Sequence, residues 1–85
     1  MEYFVEFRPS ALKALRGVAP SNRARISKAI EALADNPYPA GCKKLAAEDG
    51  FWRIRVGDYR VIYKVIQERL VVTVVKIGHR REVYR

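Results

Sequence analysis

The chain has 85 residues, 49% of them hydrophobic, with five tyrosines, three phenylalanines and one tryptophan. That composition excludes disorder and allows one domain, residues 1–85, around one modest core, since a chain this short buries roughly 60% of its unfolded surface. Seventeen Lys and Arg against nine Asp and Glu give a net charge of +8, a balance that points to nucleic acid, an acidic protein or an anionic membrane surface as partner.

In chain order, Tyr3 to Phe7 reads as a short strand of aromatic and β-branched residues. Arg8-Pro9-Ser10 ends it, and Ser10 is the expected N-cap of a short helix from Ala11 to about Arg16, closed by Gly17. A second helix starts at Pro20-Ser21. Its Ile26, Ala29, Ile30 and Leu33 fall at i, i+3, i+4 and i+7, an apolar stripe, and Asn36-Pro37 stops it. Two such helices form a hairpin able to cover one face of a sheet. The irregular stretch from Pro37 to Gly50 carries Lys43 and Lys44. A meander follows, Phe51–Val56, Tyr59–Ile66 and Leu70–Ile77, and then a tail from Gly78 to Arg85. The order β-α-α-β-β-β predicts an α+β fold, a small mainly antiparallel sheet with the helical hairpin packed on one face. Leu70 to Ile77 is too short to span a bilayer, and the first residues lack the pattern of a signal peptide. The lone cysteine, Cys42, excludes an internal disulfide. It fits a reducing compartment, and the cytoplasm is the expected location.

The positive charge is concentrated. From Lys43 onward eleven Lys and Arg face five Asp and Glu; before it the tally is six against four. If Gly57-Asp58 is a two-residue type II′ turn, Val56 faces Tyr59, Arg55 faces Arg60, Arg53 faces Ile62 and Phe51 faces Lys64. Alternation then puts Phe51, Arg53, Arg55, Arg60, Ile62 and Lys64 on one face, and Trp52, Ile54, Val56, Tyr59, Val61, Tyr63 and Val65 on the other, the core face. Two arginines directly opposite each other destabilise a sheet, which argues for a polyanionic partner. The last strand, antiparallel to Tyr59–Ile66, delivers His79 and Arg80 to the same end as Arg55 and Arg60. The turn around Gln67-Glu68-Arg69 is two or three residues long, and the two lengths put Lys76 on opposite faces.

With its strand, helical hairpin, Trp52–Val65 hairpin and the run Gly78-His79-Arg80-Arg81-Glu82-Val83-Tyr84, the chain resembles the RelE family of toxins, within the RelE/ParE superfamily of toxin–antitoxin modules. The resemblance covers nearly the whole chain and implies a microbial-RNase-like fold and cleavage of mRNA in the ribosomal A site. It implies as partners the ribosome with its mRNA, an acidic RelB-like antitoxin that masks the basic face, and operator DNA through that antitoxin; no membrane partner is implied. Position by position, Arg53 and Arg55 match residues that are often lysine and contact the scissile region. Arg60 matches the phosphate-binding arginine, Arg80 the arginine near the leaving group, and Tyr84 the tyrosine that stacks on or orients the nucleotide. His79 sits where other members carry lysine or another residue.

In that chemistry the RNA 2′-OH attacks the adjacent phosphate, leaving a 2′,3′-cyclic phosphate and a 5′-OH. Arginine forks suit the crowded phosphate, but a free arginine is a poor base near neutrality. His79 is the side chain whose ordinary pKa suits proton transfer, and it is the expected base or acid. Arg53, Arg55, Arg60, His79, Arg80 and Tyr84 form the candidate catalytic set. Lys43, Lys44, Lys64 and Arg81, together with Arg53 and Arg55, are candidate RNA contacts. One histidine and one cysteine cannot form the usual metal-ligand set, and neither metal nor cofactor is expected. The competing readings are a ParE-like gyrase-binding toxin that cleaves nothing and a non-catalytic RNA-binding module.

Overall fold

The structure is a computed structural model that describes residues 2–45 and 50–79. Its elements are β1 (Phe4–Phe7), α1 (Pro9–Arg16), α2 (Pro20–Ala32), β2 (Lys43–Lys44), β3 (Phe51–Val56), β4 (Tyr59–Ile66), a 3-10 turn (Gln67–Arg69) and β5 (Val71–His79). They make one five-stranded sheet in the order β1-β5-β4-β3-β2. The predicted meander is the antiparallel part, while β1 joins its far edge parallel to β5, with Phe4 opposite Val71 and Phe7 opposite Val74. β2 is a two-residue edge strand inside the stretch expected to be irregular.

The first helix begins earlier than expected. Arg8, extended at φ −69° and ψ 146°, takes the cap position without a side-chain bond, and Pro9 occupies the first turn. Proline has no N–H to satisfy and its ring fixes a helical φ, so the helix starts on Pro9 and Ser10 lies inside it. Pro20 starts α2 in the same way after Ala19. The α2 stripe is as predicted, with Ile26, Ile30 and Leu33 buried. The chain leaves α2 through i→i+3 bonds from Leu33 to Ile30, Ala34 to Glu31 and Asp35 to Ala32, a tightening that satisfies the last carbonyls. The Tyr3 N–H donates to the Ala34 carbonyl at 2.6 Å and the Phe4 N–H to the Leu70 carbonyl at 2.7 Å. The end of α2 and the β4–β5 turn therefore sit beside the start of β1.

Both helices pack on one face of the sheet. Ala11, Leu15, Val18, Ile26, Ile30 and Leu33 meet Ile54, Val61, Tyr63, Val65, Val72, Val74 and Ile77 in one buried cluster. Each such aliphatic side chain contributes about 1.5–3 kcal/mol when fully buried. Tyr63 donates its hydroxyl to the Pro37 carbonyl at 2.7 Å, which fastens the loop after α2 over the core. Tyr38 from that loop packs edge-on against Trp52, ring centroids 4.8 Å apart. No described helix covers the opposite face, and none is long and apolar enough to cross a membrane.

Candidate active site

The β3–β4 hairpin has the predicted register in full, with Val56 opposite Tyr59, Arg55 opposite Arg60, Arg53 opposite Ile62 and Phe51 opposite Lys64. Gly57 has φ +61° and Asp58 is not left-handed, the combination of a type II′ turn. Directly paired residues share a face, so Arg53, Arg55 and Arg60 stand together on the side away from the helices. Arg55 is exposed, whereas Arg53 and Arg60 are only 7% and 6% exposed. The two buried guanidiniums are therefore held in place rather than sweeping through solvent, and pre-set charge is what stabilises a developing phosphorane.

β5 decides what joins them. The β4–β5 ladder is regular from Ile66 opposite Val71 to Tyr63 opposite Val74, then shifts by one residue, so that Ile62 opposes Lys76, Val61 opposes Ile77, Arg60 opposes Gly78 and Tyr59 opposes His79. The extra residue is Val75, a β-bulge. The turn between the paired Ile66 and Val71 has four residues, neither of the two lengths expected: Gln67–Arg69 form a 3-10 turn and Leu70, in the left-handed region at φ 53°, closes it. Without the bulge this turn would direct Lys76 at the core. With it, Lys76 and Gly78 lie on the arginine face and Ile77 on the core face. The sequence carries a trace of the shift: the buried positions run Val72, Val74 and then Ile77, a break in the period of two.

The same shift separates His79 from the arginines. His79 arrives at the expected end of the sheet but on the helix side, its ring edge-on to Tyr59 with centroids 5.8 Å apart. There it lines a cleft of about 650 Å³ with Ser10, Lys13, Ala14 and Gly17 of the α1 side. The convergence of His79 with Arg55 and Arg60 thus holds along the strand direction and fails across the sheet.

The candidate RNA contacts divide similarly. Lys43 opposes Arg53 on the arginine face, and Lys44 opposes Trp52 on the helix face. Lys43, Arg53 and Arg55 line a hollow of about 330 Å³ with Ala40 and Gly41. Lys64 is on the arginine face, its ammonium 5.3 Å from the centre of the Phe51 ring, but four residues from Arg60, roughly 13 Å along the strand. Arg80, Arg81 and Tyr84 lie outside the described residues. Two features were not legible in the sequence: the face taken by Lys76, and the reach of Arg25, whose guanidinium packs 3.4 Å from where a side chain on Gly57 would begin. Among the described residues no cluster of His, Cys, Asp and Glu has the make-up of a metal site.

The family described as the ParE toxin of type II toxin–antitoxin systems, parDE, matches residues 5–84. The chain is 32% identical to the mRNA interferase toxin RelE of Escherichia coli over 87 residues, 99% of this chain and 92% of that protein. The chain belongs to the RelE/ParE toxin family. The fold of this RelE-type toxin is found in the archaeal RelE–RelB complex of Pyrococcus horikoshii, at a TM-score of 0.85 and 28% identity over 98% of this chain and 100% of that one. It is also that of the isolated E. coli RelE toxin, at a TM-score of 0.82 and 31% identity over 96% and 90% of the two chains.

Proposed function

We propose that the chain is the toxin of a type II toxin–antitoxin pair and an endoribonuclease that cuts mRNA on the ribosome, in the cytoplasm. The observation that carries this reading is the arginine face, Arg55 directly opposite Arg60 with Arg53 one pleat away, in a chain 32% identical along nearly its whole length to an mRNA interferase. In the reaction the 2′-oxygen forms a bond to phosphorus as its proton leaves. The bond from phosphorus to the 5′-oxygen breaks, and that oxygen takes up a proton. Arg55 and Arg60 grip the non-bridging oxygens and Arg53 adds charge behind them. By family resemblance Arg80 serves the leaving group and Tyr84 orients the base, while Lys43, Lys44, Lys64 and Arg81 contact the RNA further along. His79 is assigned the proton transfer from sequence; its position beside Tyr59 requires the RNA to reach the end of β5 from both faces of the sheet.

The partner is an acidic antitoxin of the RelB kind, folding on the toxin as it binds, and operator DNA is reached through it. In a translating extract the toxin is expected to cut mRNA in the A site. Arg60→Ala, which removes one pre-set donor to the transition state, is expected to slow cutting by at least about 100-fold. His79→Ala is expected to slow it well beyond a few-fold; cutting at near the parent rate would remove His79 from the mechanism and leave orientation by the ribosome and arginine charge to carry it. The family description names ParE, so the second reading is a gyrase-binding toxin: intact mRNA together with arrested DNA replication would replace the first by it.

A further inference from the structure

Beneath the row Arg55–Arg60–Gly78 runs a second row across four strands, Lys43 opposite Arg53, Arg53 opposite Ile62, and Ile62 opposite Lys76. Lys43 and Lys76 at its ends are exposed, and Arg53 between them is buried. One feature of this row has no use in stability. Lys43 and Arg53 form a second like-charged pair directly across strands, unfavourable by a few tenths of a kcal/mol or more. Lys76 reaches this face through the Val75 bulge, the same shift that turns Ile77 into the core. No acidic side chain of a described strand stands on either row; the first is Glu6, opposite Thr73 one pleat further on. An acidic protein segment would meet the charge, but it would not need the spacing. The two rows are two residues apart, roughly 7 Å along the strands, which is the interval of successive phosphates in an extended single strand of RNA. Ile62, half-buried in the middle of the row, gives the ribose an apolar floor.

We propose that Lys43, Arg53 and Lys76 form a subsite for the RNA phosphate next to the one being cleaved, with Lys76 and Lys43 closing on it from the two sides. This deepens the ribonuclease reading and rests on it, since the neighbouring phosphate is defined by the cut. Lys43 and Lys76 are exposed, so their alanine variants are expected to fold, and Lys43→Ala to melt at or slightly above the parent temperature.

Two measurements on the full chain decide the matter. The first is binding of a short single-stranded RNA by fluorescence anisotropy at several salt concentrations. Lys76→Ala and Lys43→Ala are each expected to reduce the slope of log affinity against log salt by about one, and Lys28→Ala on α2 is expected to leave it unchanged. The second is cleavage on ribosomes. Lys76→Ala is expected to cut about tenfold more slowly, the worth of one charge-assisted phosphate contact, and Lys76→Arg to recover most of the rate. The loss is expected to vanish on an mRNA carrying an uncharged methylphosphonate at one of the two linkages flanking the cut. Unchanged slopes, or a loss that persists with either methylphosphonate, would overturn the subsite. So would Lys76→Ala weakening an acidic antitoxin peptide while leaving RNA binding alone, which would assign the row to the protein partner. If the parent cuts no mRNA while the slopes still fall, the ribonuclease reading fails and the row stands as an RNA-binding site.

Discussion

Single side chains show which groups serve the fold and which strain it. Tyr63 is fully buried and its hydroxyl is spoken for by the Pro37 carbonyl. Burial, with Cys42 and Tyr38 beside it, pushes its phenol well above the ordinary value. Tyr63→Phe leaves a buried carbonyl without its donor and is expected to cost about 1–2 kcal/mol in urea unfolding. The raised value also sets a sign. The folded state holds this proton more tightly than the unfolded chain does, so its contribution is complete below about pH 10 and is lost as the pH rises above it. The parent is expected to lose stability more steeply than Tyr63→Phe in strong alkali, measured by denaturant midpoints across that range. Arg55 is the opposite case. It is exposed and faces Arg60, so Arg55→Thr is expected to raise the midpoint, by up to about 1 kcal/mol, while weakening RNA binding. A fall in stability would show that the pair is not repulsive.

At the scale of elements, the Val75 bulge is the decisive device. Residues before it and after it obey the same alternation with opposite phase, and the switch is what lets one strand present Val72 and Val74 to the core and then Lys76 to the open face. Deleting Val75 would restore a regular ladder in the same register, with Ile62 still opposite Lys76 and Val61 still opposite Ile77. Lys76 keeps the open face and Ile77 the core, so the deletion is expected to hold stability within about 1 kcal/mol of the parent's, measured by urea unfolding. A loss of several kcal/mol would mean that the bend and twist of the bulge are needed to seat the helices on β5. The helical hairpin contributes differently: two prolines start its helices where no side chain caps them, so its position depends on packing against β5 and β3 rather than on local capping.

For the molecule as a whole, charge is arranged end to end. Arg55, Arg60 and Arg25 gather at the β3–β4 turn, and Arg23 reaches back across the α1–α2 junction to the Arg16 carbonyl at 3.2 Å. Among the described residues, Glu2, Glu31, Asp35 and Glu68 lie toward the other end, with Arg69 as a basic neighbour of Glu68, where the close of α2 and the β4–β5 turn meet the start of β1; Asp58 is the acidic residue at the arginine end. Such an asymmetry turns the molecule in the field of a polyanion before contact. Arg16→Glu combined with Arg23→Glu is expected to slow association with ribosomes several-fold at low salt, measured by stopped flow. The difference should disappear near 1 M salt, where the screening length is about 3 Å. A slowing that survives high salt would point to a direct contact instead.

The local features were legible because neighbouring residues encode them. A two-residue glycine turn and a period of two are enough to pair Arg55 with Arg60, and a 3.6 period is enough to find the stripe of α2. The family and its α+β fold followed from the order of such elements and from two short motifs. What the tertiary structure alone decided is non-local. β1 joins β5 across the whole chain, Arg53 and Arg60 are buried, Lys76 stands with the arginines and His79 does not. The last two outcomes turn on one extra residue in β5, and whether a strand takes up a bulge depends on which of its apolar side chains the helices cover. That competition is settled between distant segments, so no window of adjacent residues contains it.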